Sequence, residues 1–329
     1  MSTLDRRPND VAVLIPCFNE GRTVAKVVRD FQRALPTSRV CVCDNNSTDD
    51  TIAQARAAGA EVFSERAQGK GNVIRRMFAD IDAEIYLMVD GDDTYDASSA
   101  SEMVDLLLSG NLDLVNGKRV HEHEQAYRPG HQLGNRMLTG MVKVLFQCQF
   151  EDMLSGLKVF SRRFVKSFPA LTQGFEIETE LTVHALEMRM AVGEVAVGYR
   201  GRPDGSESKL RTFRDGWRIL LTIGRFLKAE RPVHVFSAIA ALLALTGVAL
   251  SVPLIATYLQ TGLVPRIPTA IIIIGLMVLS ALSLMAGIIL GTVTHGRQEM
   301  KRLHYLSISS LRDRVPQAAA ARTAHAPES

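Results

Sequence analysis

The chain has 329 residues, a net charge of +3, 47% hydrophobic and 22% charged residues, and four cysteines. That length can hold one large domain or two smaller ones around a buried core. The slight positive excess argues against nucleic acid as a partner. Cys17, Cys41, Cys43 and Cys148 have no CxxC spacing, which excludes a recognisable zinc or disulfide framework and fits a reducing compartment.

Short apolar strands alternate with amphipathic helical stretches in the first half. "VAVLIP" precedes a helix after Glu20, "VCVCD" a helix after Ser47, and "AEVFS" a helix after Lys70; "IYLMVD" then leads into "DGDD". This alternation predicts an α/β domain with a mostly parallel sheet and helices on both faces. Ligands of such sheets bind at the carboxyl ends of the strands. Three predicted strand ends carry polar clusters there: "PCFNE" at 16–20, "DNNSTDDT" at 44–51 and "DGDD" at 90–93. Clustered carboxylates repel unless they share a cation, so Asp90, Asp92 and Asp93 raise the expectation of a metal above that of a solvated acidic turn. "DNNSTDDT" also reads as a helix cap through Ser47 or Thr48, with Asp44 left to face a ligand. "QGKGN" at 68–72 enters a helix whose N-terminus and Lys70 could meet phosphate, yet it has neither dinucleotide-binding nor P-loop spacing. Cys41 and Cys43 alternate within a strand as small buried residues. "HEHEQ" at 121–125 lacks further ligands at a zinc-like spacing. Glu176, Glu178 and Glu180 suit the first turn of a helix, where carboxylates favour the dipole.

Beyond Leu210 the character changes. "FRDGWRILLTIGRFLKAERP" at 213–232 mixes apolar and basic positions with helical spacing and is expected to lie along a membrane surface. No Asp, Glu, Lys or Arg then occurs between Arg231 and Arg266, nor from Ile267 to Thr294. Each stretch exceeds the roughly 20 apolar residues that cross a bilayer core. Two transmembrane helices are expected, about Val233–Leu259 and Thr269–Val293, joined by "TGLVPRIP". Two helices buried in a soluble core would need polar faces that these stretches lack. Basic residues crowd both outer flanks and only Arg266 lies between the spans, which predicts a hairpin with both flanks cytoplasmic and contacts to anionic lipid. "VAVLIP" is too short for a signal peptide, so the first domain is expected in the cytosol. The tail from Val315, rich in Ala and Pro, is expected to be disordered. The expected division is 1–210 a cytoplasmic α/β domain, 211–232 juxtamembrane, 233–295 transmembrane, and 296–329 a cytoplasmic tail.

In order along the chain, "VLIPCFNE", "DNNSTDDT", "GKGNVIRRMF", "YLMVDGDDTYD", "GKRV", "HQLGNRMLTG", "MLSGLKVFSRRF" and "GFEIETELTVHA" resemble the family-2 glycosyltransferases. "RPDGSESKL" narrows the resemblance to the polyprenyl-phosphate branch, which includes dolichol-phosphate mannosyltransferase-like enzymes. The resemblance spans about residues 10–230 and implies a GT-A type nucleotide-sugar-binding domain at the cell membrane. It implies Pro16, Asn19 and Glu20 lining a nucleotide pocket, Asp44 on the base or ribose, and Lys70 nearby. Asp90 and Asp92 would form an Asp-x-Asp for Mg²⁺ or Mn²⁺, with Thr94 where many members carry Gln as a further metal contact. Arg119, Arg136, Arg202, Ser208 and Lys209 would surround the phosphates, with Asp92, Arg119 and Arg136 central to catalysis. The implied partners are a UDP- or GDP-linked sugar, a polyprenyl phosphate, membrane lipid and a second copy of the chain. The implied reaction is inverting transfer of the sugar to the lipid phosphate. Alternatives are transfer to a hydroxyl acceptor, in glycolipid or polysaccharide synthesis, and a catalytically silent membrane scaffold. A polysaccharide synthase is disfavoured because no QxxRW signature surrounds Trp217.

Overall fold

The structure, a computed structural model, describes residues 11–121, 151–174, 176–201, 231–264 and 266–309. Seven strands form one sheet: β1 (Val11–Cys17), β2 (Arg39–Asp44), β3 (Glu61–Ser64), β4 (Ile85–Met88), β5 (Leu114–His121), β6 (Lys158–Ser161) and β7 (Val192–Tyr199), in the order β3-β2-β1-β4-β6-β5-β7. β6 runs antiparallel to both neighbours, and every other pairing is parallel. The expected mostly parallel α/β sheet is therefore present.

Alternation along the strands sends side chains to two cores. Val13, Ile15 and Leu87 face one side, where α1 (Val24–Ala34) and α4 (Ala100–Ser109) pack. Ala12, Leu14, Tyr86 and Met88 face the other, against α3 (Lys70–Asp80), α5 (Arg162–Ser167) and α6 (Ile177–Glu187). The short α2 (Thr51–Ala57) follows β2. In α1, Val24, Val27, Val28 and Phe31 recur at helical spacing and are all buried. The helix stops at Leu35, whose N–H returns to the Phe31 carbonyl, because Pro36 disfavours a helical residue before it. Truncating Phe31 to Ala would cost about 3–5 kcal/mol through the cavity left under β1.

The apolar half forms α7 (Pro232–Thr261) and α8 (Ile267–Ser307). Pro232 occupies the first turn of α7, where its missing N–H costs nothing, and Gly262 ends the helix in a left-handed conformation. The Ser280 hydroxyl donates to the Ala240 carbonyl across the pair at 2.8 Å. Both helices are long and apolar enough to cross a membrane. Their apolar side chains are mostly exposed, Leu259 by 78% and Leu245 by 68%, which a soluble core would not permit. The expected hairpin is thus present, but its second helix does not stop at Val293. It continues to Ser307 because "HGRQEMKRLHYLS" contains good helix formers and no breaker strong enough to end it.

The chain divides into two compact units, Met1–Arg218 with Arg302–Ser329, and Ile219–Lys301. Within the first, Tyr305 donates its hydroxyl to the buried Asp113 at 2.6 Å, and the Arg163 guanidinium covers the Tyr305 ring at 4.4 Å. The expected juxtamembrane stretch, 211–230 of 211–232, and the tail beyond 309 lie outside the described residues.

Candidate active site

The three polar clusters converge at the carboxyl ends of β1, β2 and β4, which are adjacent in the sheet. Asn19 leaves β1 with φ of 52°, a left-handed conformation tolerated by Asn, and joins the loop after β2. Its N–H donates to Ser47 Oγ, and its Oδ1 accepts the Thr48 N–H, both at 2.8 Å. The sequence suggested that Ser47 or Thr48 caps α2, but both serve Asn19; Asp50 stands at the cap position and accepts a bond from the Gln54 side chain of the helix at 2.8 Å rather than from a backbone N–H. The Glu20 N–H donates to Thr51 Oγ1, and Glu20 itself is buried. Pro16 lies within β1, opposite Cys43 of β2.

Asp44, the last residue of β2, is only 3% exposed. Its Oδ2 accepts the Ser47 N–H at 3.2 Å, while its buried Oδ1 has no hydrogen-bond partner among the described residues. A buried unsatisfied carboxylate oxygen is costly, and a ligand donor there relieves it. Asn45 beside it was not singled out in the sequence, yet it shapes the neighbouring loop. Its Nδ2 donates to the Glu65 and Ala67 carbonyls, and its Oδ1 accepts the Gly69 N–H at 2.7 Å.

After β4 the three aspartates separate. Asp93, with φ of 58°, turns outward to pair with Lys26 at 2.6 Å. Asp92 is buried at 4% exposure, next to the equally buried Thr94. Thr94 Oγ1 donates to Asp92 Oδ1 at 2.7 Å and the Thr94 N–H to the same oxygen at 3.3 Å. The Thr23 hydroxyl donates to the Gly91 carbonyl at 2.7 Å, tying this turn to the loop after β1. Asp90 meets Lys70 Nζ at 2.5 Å, and Lys70 also reaches Glu178 Oε1 at 2.6 Å. Burial opposes the Lys70 charge, but Asp90 and Glu178 outweigh it and raise the ammonium pKa. Burial pushes the Glu178 carboxyl up despite that neighbour. Among the described residues no three His, Cys, Asp or Glu side chains converge as a closed metal cage. Asp90 and Asp92 offer hard oxygen donors at the end of β4, which fits a divalent ion completing its shell from a diphosphate and water.

Arg119, near the end of β5, is not an open strand-end cation. Its Nε and Nη2 donate to Asp152 at 2.6 and 2.9 Å, and its guanidinium lies 5.4 Å from the Tyr199 ring centre. Burial raises the Asp152 carboxyl, and Arg119 more than offsets it, leaving the group below its ordinary value. Behind this pair Lys158 is fully buried, donating to Asn116 Oδ1 at 2.5 Å and to the Met153 carbonyl. Tyr95 receives the Gly156 N–H at 2.6 Å, and Gly156 abuts Asp90 so closely that a Cβ would strike its carboxylate. The segment 151–158 thus connects the Arg119 pair to the Asp90 turn. In the sequence its only signal is the motif "MLSGLKVFSRRF", which gives the segment no role of its own. Arg136, Arg202, Ser208, Lys209 and His123 lie outside the described residues.

A mostly parallel sheet with carboxylates gathered at the carboxyl ends of its central strands is an α/β arrangement that binds ligands along that edge. Residues 12–168 match the model of glycosyl transferase family 2. The chain is 35% identical over 250 residues to glycosyltransferase AglJ of Haloferax volcanii, covering 74% of this chain and 80% of that protein. It belongs to glycosyl transferase family 2. It is also 26% identical over 223 residues to the dolichyl-phosphate hexose transferase of Haloferax volcanii, covering 68% of this chain and 96% of that one. Among solved structures, glucosyl-3-phosphoglycerate synthase of Mycobacterium tuberculosis, crystallised with Mn²⁺, UDP-glucose and phosphoglyceric acid, superposes with a TM-score of 0.55 at 22% identity. That match covers 65% of this chain and 78% of the other, and it supports the GT-A-like fold.

Proposed function

We propose that the protein transfers a sugar from a UDP- or GDP-linked donor to a polyprenyl phosphate, with inversion, at the cytoplasmic face of a membrane. The observation that carries this reading is the placement of Asp44, with its unpartnered oxygen, and of the Asp90–Asp92 turn at the carboxyl ends of β2 and β4 on either side of β1, in a chain that continues into two apolar helices of bilayer length. The similarity to a dolichyl-phosphate hexose transferase supports a lipid phosphate as acceptor.

Asp44 accepts an N–H of the base or a ribose hydroxyl, while the loops bearing Pro16, Asn19 and Glu20 wall the nucleotide. Asp90 and Asp92 would hold Mg²⁺ or Mn²⁺, which would supply charge neutralisation for the departing diphosphate. Thr94 orients Asp92 through its hydroxyl bond. Lys70 lies beside the diphosphate. Arg119, oriented by Asp152, joins Arg136 at the acceptor phosphate, for which a guanidinium fork is suited. Arg202, Ser208 and Lys209 would serve the acceptor phosphate or the diphosphate.

An acceptor phosphate oxygen attacks the anomeric carbon as the bond from that carbon to the diphosphate breaks on the opposite side. The new phosphodiester carries the sugar in inverted configuration, and the nucleoside diphosphate leaves. A phosphate monoester ionises a second time at a pKa of about 6, so the acceptor arrives mostly as a dianion and needs no protein base.

A donor screen tests the assignment. Membranes containing the protein are given radiolabelled UDP- and GDP-sugars with a short polyprenyl phosphate and Mn²⁺. One donor should label an organic-extractable lipid. Label confined to hydroxyl-bearing glycolipid or polymer would move the protein to the other acceptor class, and absence of donor turnover would favour a silent scaffold.

A further inference from the structure

α6 reaches the site from outside the three strand ends that form the proposed nucleotide pocket. The carboxylates of its first turn divide their work. Glu180 accepts the Leu171 and Thr172 N–H groups at 2.8 Å each, and the Thr172 hydroxyl at 2.6 Å. Both its oxygens are engaged in shaping the loop before α6. That loop receives the Gly71 N–H on the Gln173 carbonyl at 3.0 Å, and a Cβ at position 71 would collide with the Thr172 carbonyl. Lys70, the first residue of α3, is thereby fixed from behind.

Glu178, two residues earlier, acts on the Lys70 side chain itself. The ammonium sits between Glu178 Oε1 and Asp90 Oδ1, with the Lys70 and Glu178 side chains only 8% and 11% exposed. An ammonium and a divalent ion compete for the same carboxylate. With Asp90 as sole partner, the buried ammonium would neutralise it. A second carboxylate shares the ammonium and leaves net negative charge at Asp90.

We propose that Glu178 is a positioning residue for sugar transfer: it holds the Lys70 ammonium between itself and Asp90, keeping Asp90 negative enough for a divalent ion and Lys70 directed at the diphosphate. The inference rests on reading Asp90 and Asp92 as the metal and diphosphate site. It predicts opposite effects at the two ends of one ion pair. Glu178→Gln keeps the size and an oxygen acceptor but strands the ammonium on Asp90. Lys70→Met removes the competitor and leaves both carboxylates to the metal.

The test is Mn²⁺ binding to the full-length purified protein without donor, followed by the resonance of free Mn²⁺, together with donor and acceptor KM values. Glu178→Gln should weaken Mn²⁺ binding about tenfold, in the range known for residues that support metal ligands, and raise donor KM while leaving acceptor KM and Tm unchanged. Glu178→Asp, which restores the charge, should recover part of the Mn²⁺ affinity. Lys70→Met should bind Mn²⁺ more tightly than wild type yet use donor poorly. Wild-type Mn²⁺ affinity in Glu178→Gln would overturn the proposal. Should that variant not fold, unchanged Mn²⁺ affinity in Lys70→Met would overturn it equally. Wild-type protein that binds no Mn²⁺ and turns over without a divalent ion would instead refute the underlying metal-site reading.

Discussion

At the scale of single residues, burial decides which of the clustered charges can do chemistry. Asp93 is held by Lys26 at the outer side of its turn, whereas Asp92 is buried under Thr94. Asp92→Asn should therefore abolish metal-stimulated turnover, by about a hundredfold or more if the ion supplies several kcal/mol of charge stabilisation. Its Tm should hold or rise, since a buried charge has been removed; undiminished, still metal-dependent turnover would show that the ion sits elsewhere. Lys158 offers a test of a different kind. Burial lowers its pKa from the ordinary 10.5 to about 8. Between those two values the unfolded chain binds a proton that the folded one has released, so this group makes stability rise with pH across that window. Burial also pushes the Cys41 and Cys43 thiols from 9.0 up to about 12, so that the unfolded chain ionises first and stability falls as pH climbs from 9 toward 12. The difference in Tm between wild type and Lys158→Met, measured from pH 7 to 10.5, isolates the lysine. It should shift in favour of wild type as pH rises, and a flat difference would show that Lys158 keeps its ordinary pKa.

At the scale of elements, the parallel strands were legible because their hydrophobic runs are continuous and end in polar clusters. Asp44, Asp90 and Asp92 were legible for the same reason: each follows directly on an apolar run. Glu178 was read correctly as part of a helix start, but no local pattern reveals that it meets Lys70, since 108 positions separate them. Asp152 and Lys158 were silent because single buried charges in the interior have no sequence period. The loop before α6 is the element on which the Lys70 geometry depends. Gly71→Ala should cost about 1–3 kcal/mol through overpacking against the Thr172 carbonyl and should raise donor KM, measurable by thermal melting and steady-state kinetics. The end of α8 carries a second such dependence. Tyr305→Phe removes the hydroxyl donated to Asp113 and should cost about 1–3 kcal/mol, the range for a hydrogen bond to a charged group. Unchanged melting of that variant would mean that the Tyr305 ring, beneath Arg163, supplies the whole attachment.

At the scale of the molecule, the charge pattern and the apolar hairpin together predict the orientation. With Lys and Arg concentrated outside the two spans, only the residues between α7 and α8 should reach the far side. A cysteine introduced at Thr261 in a chain lacking its native cysteines should react with an impermeant maleimide in intact cells, and one at Ser307 only after permeabilisation. The reverse pattern would remove the cytosolic donor supply from the account. The central claim is that the nucleophile is a lipid phosphate attacking in line with the departing diphosphate. The most direct measurement is the linkage and anomeric configuration of the purified product, by ³¹P and ¹H NMR, starting from an α-linked nucleotide sugar. The account predicts a β-linked sugar phosphodiester of the polyprenol. An α-linked phosphodiester, or a glycosidic bond to a hydroxyl with no phosphorus coupling at the anomeric centre, would contradict it.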